Sequence, residues 1–100
     1  MRKSDVNVQK LLEYTSRTIE EACNKFIGYP NDGRTREALD QEVRDTVRRI
    51  MDRNGVRRPL PKIEVGTDPM KPELMVLTFR HPETDEILSG TELYKYLGLL

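Results

Sequence analysis

The stretch Phe26-Ile27-Gly28-Tyr29-Pro30-Asn31-Asp32-Gly33 decides the fold, because it joins the two longest helical patterns in the chain. Gly28 can adopt the left-handed backbone conformation that ends a helix, and Pro30 prevents that helix from continuing. Asn31, Asp32 and Gly33 are turn-forming residues. The stretch therefore predicts a tight reversal between two helices.

Before this turn, the spacing of apolar residues predicts a helix of about 20 residues. Ser4 or Asp5 is its expected N-cap, and Gly28 is its expected end. Glu21 and Lys25 are four residues apart and are predicted to form an ion pair on its polar face. The apolar face comprises Val8, Leu11, Leu12, Ile19, Ala22, Cys23 and Phe26, with Thr15 among them.

After the turn, a second helix is predicted to start at Asp32 or Thr35 and to run to about Arg53. Asn54-Gly55 is a strong stop signal, with Gly55 suited to a left-handed cap. Neither helix can bury its apolar face alone, so we expect an antiparallel hairpin that a further layer covers. The apolar face of the second helix comprises Ala38 or Leu39, Val43, Val47, Ile50 and Met51.

The second half of the chain predicts the covering layer. Pro59 and Pro61 make residues 56–61 an extended connector. Strands are predicted at residues 62–65 and at the hydrophobic run 74–79, and residues 86–88 are expected to return as a third strand. Thr91 is expected to cap a short terminal helix.

The fold class predicted is α+β, with a two-helix antiparallel hairpin packed on a small two- or three-stranded sheet and a short C-terminal helix. One hundred residues make a single domain, 1–100. Within it we expect the helical hairpin at 7–56, the small sheet at 57–90 and an apolar terminal helix or tail at 91–100.

The composition favours a protein that works in an assembly. Lys and Arg number 17, and Asp and Glu also number 17, so the net charge is zero. This balance excludes a globally basic nucleic-acid binder and gives little long-range repulsion between copies. A lone cysteine, Cys23, excludes an internal disulfide and indicates a reducing compartment. No apolar run approaches the roughly 20 residues that cross a bilayer, so we expect a soluble protein without a membrane partner.

No residue pattern predicts catalysis, a metal site or a cofactor site. His81 is the single histidine and has no cysteine cluster to complete a zinc site. Ser16, Ser89 and Cys23 lie in no recognisable nucleophile motif. We therefore expect a protein that is not an enzyme.

Arginines cluster in the second helix and the connector after it. Asp40 and Asp45 lie four residues before Arg44 and Arg49 and are expected to neutralise part of the cluster. Three interpretations remain open: a solvated face, a salt-bridging surface for another protein, or a nucleic-acid contact. The cluster comprises Arg44, Arg48, Arg49, Arg53, Arg57 and Arg58.

The end of the chain is strongly apolar. Such a segment either folds back on the core or docks on a neighbouring subunit, and the sequence leaves both open. The edges of a small sheet could also be extended by another chain. The tail residues are Leu93, Tyr94, Tyr96, Leu97, Leu99 and Leu100.

Residues 7–56 also resemble a known family. The order and spacing are Asn7 to Tyr14, then Ile19-Glu20-Glu21, then Phe26 followed by Pro30-Asn31-Asp32, then Thr35-Arg36 and a helix that ends at Asn54-Gly55-Val56. This pattern resembles the C-terminal domain of the tail sheath proteins of contractile-tailed bacteriophages. These 100 residues hold the equivalent of one domain of that family, without its large insertions, and we expect no long exchanged arm.

The resemblance implies a stand-alone, non-catalytic structural protein of a bacteriophage particle. It would be made in the host cytoplasm and contact copies of itself or other virion proteins at the tail, neck, baseplate or capsid. Sheath subunits complete one another's sheets with exchanged arms. The alternative hypothesis is a small nucleic-acid-associated or regulatory binding protein that uses the arginines of the second helix.

Overall fold

Residues 3–100 form three helices and two strands, in the order α1 (Lys3–Asn24), α2 (Gly33–Arg53), β1 (Lys62–Thr67), β2 (Met75–Arg80) and α3 (Thr91–Tyr96). The computed structural model describes the backbone of residues 3–100 and the side chains of Glu13 and of residues 15–100. The helices α1 and α2 pack on each other, and β1 packs on α2. The predicted α+β class is confirmed.

The turn between α1 and α2 is built largely as predicted. α1 ends at Asn24, four residues before Gly28, and Gly28 has the expected left-handed φ of 88°. The Asp32 carboxylate caps α2 by accepting a hydrogen bond of 2.8 Å from the Thr35 backbone N–H. That hydrogen bond lowers the pKa of Asp32, with smaller contributions from nearby arginines. Gly33 is the first residue of α2.

The N-cap predicted for α1 is wrong, because the helix already includes Lys3 and so places Ser4 and Asp5 inside its first turn. The stop after α2 is correct: Asn54 caps the helix, and Gly55 follows with φ of 70°. Local backbone preference thus determines the end of α2 as the sequence indicated.

The core lies between α2, the inner face of the sheet and the end of the chain. Leu39 is buried on the apolar face of α2, whereas the alternative, Ala38, is exposed. Thr15 is buried on α1, as predicted. Val8, Leu11 and Leu12 were also predicted on that face, but their side chains lie outside the described set. The core cluster comprises Leu39, Val43, Val47, Ile50, Met51, Ile63, Phe79, Leu88, Leu93, Tyr96, Leu97 and Leu99.

The sheet has two antiparallel strands, with Ile63 opposite Phe79 and Val65 opposite Leu77 on the inner face. The predicted third strand at residues 86–88 is reduced to one isolated bridge between Ile87 and Arg80. The chain turns away at once because the Leu88 side chain enters the core and Gly90, with φ of 53°, leads into α3.

The tail folds back on the core, which decides between the two alternatives left open by the sequence. Leu93, Tyr96, Leu97 and Leu99 are buried, and the Tyr96 hydroxyl donates a hydrogen bond of 2.5 Å to the Pro59 carbonyl. Burial also raises the pKa of Tyr96. Thr91 is not the cap of α3: the cap position is Gly90, and it makes no side-chain hydrogen bond.

The ion pair predicted between Glu21 and Lys25 is replaced by one that joins Lys25, just past the end of α1, to helix α2. The Lys25 ammonium lies 2.5 Å from the Glu42 carboxylate of α2. The packing of α1 on α2 brings Glu42 to Lys25, and a contact of this kind cannot be read from spacing within one helix.

Candidate functional site

The outer edge of β2, the one that faces away from β1, has backbone groups that find no partner in the described part of the chain. On this edge the Leu88 N–H donates to the Phe79 carbonyl and the His81 N–H donates to the Glu86 carbonyl, at 2.8 Å each. In an antiparallel strand, the backbone N–H and C=O groups of every second residue point towards the same edge of the strand. The N–H and C=O of Leu77 and Met75 therefore also point outward.

These outward groups of Met75 and Leu77 have no hydrogen-bond partner among the described residues. We call this part of β2, residues 75–77, the open edge. It is bounded at one end by the segment 86–88, which occupies the edge beside Phe79 and Arg80. Unpaired backbone groups along a strand are a template for a further strand.

The widths of the two layers also show room beside the open edge. Two packed helices lie 8–10 Å apart, so the α1–α2 layer is roughly 20 Å wide, whereas two strands cover only about 10 Å. β1 lies on α2. Cys23, at the end of α1, lines a common groove with Met75 and Leu77 of β2.

An apolar groove of 260 Å³ lies at this place, between the end of α1 and the open edge. Cys23 of α1, Phe26 of the turn that follows it, and Met75 and Leu77 of β2 are each half-buried in it. Ile27, at its rim, is 76% exposed. We call this the edge groove; it is lined by Cys23, Phe26, Ile27, Gly28, Tyr29, Leu39, Glu73, Leu74, Met75 and Leu77.

Asn31, in the turn between α1 and α2, holds the loop between β1 and β2 in place at one end of the edge groove. Its side-chain nitrogen donates to the Pro72 carbonyl at 2.8 Å and to the Thr67 hydroxyl at 3.1 Å, and lies 3.4 Å from the Leu74 carbonyl. Its side-chain oxygen accepts from the Arg36 guanidinium at 2.7 Å. One side chain thus ties the turn between the helices to both ends of the loop between the strands.

The Cys23 thiol faces the edge groove without being activated. Burial raises its pKa, and the Glu20 carboxylate raises it further. A raised pKa leaves little thiolate at neutral pH, so the side chain acts as a small apolar group.

Several arginines of the second helix and the connector make separate local contacts. Arg44 pairs with Asp40 at 3.1 Å, as predicted. Arg49 donates to the Thr46 hydroxyl, whereas its predicted partner Asp45 accepts from Gln41 at 2.9 Å.

At the other end of the cluster, the Arg58 guanidinium lies over the Tyr96 ring, 5.3 Å from its centroid. Arg48 shares a small polar cleft with Arg58, and Arg53 and Arg57 are exposed. The cluster is therefore split among several local contacts.

Most of the predicted tail surface is not available to a partner. Leu93, Tyr96, Leu97 and Leu99 belong to the core, which leaves Leu100, 55% exposed, and the half-buried Tyr94 at the surface. The Tyr94 hydroxyl lies 2.5 Å from the Ser16 hydroxyl of α1, so this ring holds α3 against α1.

The part of the chain with described side chains contains no group of three or more His, Cys, Asp and Glu residues that could hold a metal ion. His81 Nδ1 accepts a hydrogen bond from the Glu83 N–H at 3.1 Å, and its ring contacts Tyr96 edge-on. Within the same part of the chain, no helix is both long enough and apolar enough to cross a membrane.

The sequence pointed to sheet edges in general but not to the edge groove. Its residues come from positions 23–29, 39 and 73–77, which only the tertiary packing brings together. The one sequence feature that indicated an open edge was the apolar strand segment Met75-Val76-Leu77. It contains no charged residue or proline, the residues that usually keep another strand from pairing with an edge.

No protein-family model, no curated protein and no solved structure matches the chain.

Proposed function

We propose that the protein is a non-catalytic structural protein of a bacteriophage particle, and that it assembles when an extended segment of a neighbouring subunit adds to the open edge. The single observation that carries the proposal is that the outward backbone groups of Met75 and Leu77, which line an apolar groove, have no partner among the residues that the structure describes. A strand added there would pair these groups and cover the half-buried side chains.

Two further observations support the proposal. Residues 7–56 resemble the C-terminal domain of contractile-tail sheath proteins, a family whose members act in virion assembly. The zero net charge leaves little repulsion between copies packed closely together. The neighbouring subunit is a second copy or another virion protein.

The strength of one such contact is modest. The N–H and C=O groups of Met75 and Leu77 allow four hydrogen bonds, each contributing about 0.5–1.5 kcal/mol net. A single contact of this size is reversible, whereas a repeating array multiplies it through effective concentration. The open edge therefore suits a contact between subunits that persists only within an ordered assembly.

A matched pair of variants tests the proposal. Met75→Lys places a charge in the edge groove, where an added strand would have to bury it. Val76→Lys puts the same charge on the neighbouring residue, which is 42% exposed and lies on the outer face of the sheet. We expect Met75→Lys to prevent assembly and Val76→Lys to permit it, as measured by light scattering and by incorporation into particles.

Circular dichroism of both variants must show an unchanged helical fold for the comparison to hold. If a folded Met75→Lys variant enters particles as efficiently as the unmodified chain, the open edge is not the assembly contact. The virion assignment is tested separately by mass spectrometry of particles purified from the source of this sequence. Absence of the chain from those particles would refute it.

A further inference from the structure

The geometry of the open edge restricts the chemistry of the segment that it binds, given the proposed strand addition. The two existing strands pair antiparallel, and antiparallel pairs are slightly more stable per residue than parallel ones. Residues directly opposite each other in such a pair place their side chains on the same face of the sheet. The residues opposite Leu77 and Met75 therefore point inward, into the edge groove.

These two inward positions require apolar side chains. The edge groove has a volume of 260 Å³, and an apolar cavity of about 150 Å³ already holds a benzene molecule. Its walls are the half-buried Cys23, Phe26, Met75 and Leu77. The position between the two inward residues lies beside Val76 on the solvent face and tolerates a polar residue.

One charge lies at the loop end of the edge groove. Glu73 is the charged residue that lines it, and this carboxylate takes part in none of the ion pairs found among the described side chains. An antiparallel segment passes Leu77 first, then Met75, and then reaches Glu73. A lysine or arginine at its next inward position would meet that carboxylate.

We infer that the edge groove binds an extended segment of another protein chain with the pattern apolar–any–apolar–any–basic, where the basic residue is Lys or Arg. The segment runs antiparallel to β2, and its two apolar residues enter the groove opposite Leu77 and Met75. The pattern restricts the neighbouring subunit to chains that present such a segment in extended form.

Three synthetic peptides test the pattern on the full chain. The first is Gly-Ser-Val-Thr-Val-Thr-Lys-Gly, the second replaces its Lys with Glu, and the third replaces its second Val with Asp. Binding is read by NMR as slower hydrogen exchange of the Met75 and Leu77 amides. The Val76 and Thr78 amides, which point to β1, are the internal control and should not change.

We expect the first peptide to bind about two- to fivefold more tightly than the second, the range for an exposed ion pair. The preference should invert on a Glu73→Lys variant, whose charge attracts the second peptide. The third peptide should bind more than tenfold more weakly than the first, because it would bury a carboxylate in an apolar groove.

If the first and second peptides bind equally well, the inferred requirement for a basic residue is wrong. If the third peptide binds as well as the first, the inferred requirement for apolar residues is wrong. Either result leaves strand addition itself intact, provided that the Met75 and Leu77 amides are protected. If no peptide protects them at millimolar concentration, the inferred pattern is wrong. The Met75→Lys assembly assay then decides independently on the proposed function.

Discussion

Replacing Asn31 should destabilise the protein far more than replacing an ordinary turn residue. The Asn31→Ala change removes the donors to Pro72 and Thr67 and the acceptor for Arg36 in one step. The contact at 3.4 Å to Leu74 adds little, because an amide nitrogen has only two hydrogens to donate.

The magnitude follows from the number and kind of these hydrogen bonds. Two neutral hydrogen bonds contribute about 0.5–1.5 kcal/mol each, and one to a charged partner about 1.5–3 kcal/mol. Partial exposure reduces the sum, so we expect the free energy of unfolding to fall by about 2–3 kcal/mol. Asn31→Asp is the matched control: it keeps the acceptor for Arg36, loses both donors and should cost about 1–2 kcal/mol.

Urea unfolding followed by circular dichroism measures both changes. With a slope of about 1 kcal/mol per molar urea for a small domain, the urea midpoint of Asn31→Ala should fall by about 2–3 M. A loss below about 0.5 kcal/mol would show that Asn31 does not hold the loop. Equal losses for Asn31→Ala and Asn31→Asp would show that the contact with Arg36 contributes nothing.

Three other perturbations have defined outcomes. Gly98→Ala should destabilise the fold in urea by more than the roughly 1 kcal/mol usual for an alanine forced to positive φ, because its Cβ would lie 2.2 Å from the Val56 side chain. Asp32→Asn should keep the helix cap but remove a pH dependence of the folding stability. Because folding lowers the pKa of Asp32, its stabilising contribution is complete above pH 3.8, the ordinary pKa of the group, and is lost as the pH falls through the folded-state pKa. Thermal unfolding measured across acidic pH values tests this. Alkylation of Cys23 at neutral pH should be slow in the folded chain and slower still after assembly, because burial raises its pKa and it faces the edge groove.

Each of these predictions has an internal comparison. Gly66→Ala meets no atom within 4 Å and lies at ordinary φ, so it should be nearly neutral, and an equal loss at Gly66 and Gly98 would contradict the clash. If Asp32→Asn loses as much stability at low pH as the unmodified chain, that loss comes from other carboxylates. Alkylation of Cys23 as fast in the native chain as in urea would show that the thiol is not shielded.

Features that depend on neighbouring residues in the chain could be predicted from the sequence. The positive φ of Gly28 and Gly55, the cap at Asp32 and the end of α2 all follow from local backbone preference. The α+β class followed from periodicity. Thr15 was placed on the apolar face correctly because helical spacing fixes its direction.

Features that depend on distant contacts could not be predicted. Lys25 pairs with Glu42 and not with Glu21, because tertiary packing brings α2 to it. The apolar spacing at residues 86–88 is compatible with a strand, but burial of Leu88 in the core ends the pairing after one bridge. The edge groove required three separate segments to meet, so only the general possibility of an open edge was accessible from sequence.

The short length of the open edge limits how far copies of the free chain can stack into fibrils. Amyloid-like stacking needs a segment of about six or seven residues with high β-propensity, and β2 with its apolar sequence is such a segment. The bridge between Ile87 and Arg80 covers one end of it, and Pro72 and the loop held by Asn31 stand at the other. Three residues stay available, enough to accept one guest strand and too few for identical chains to stack without limit.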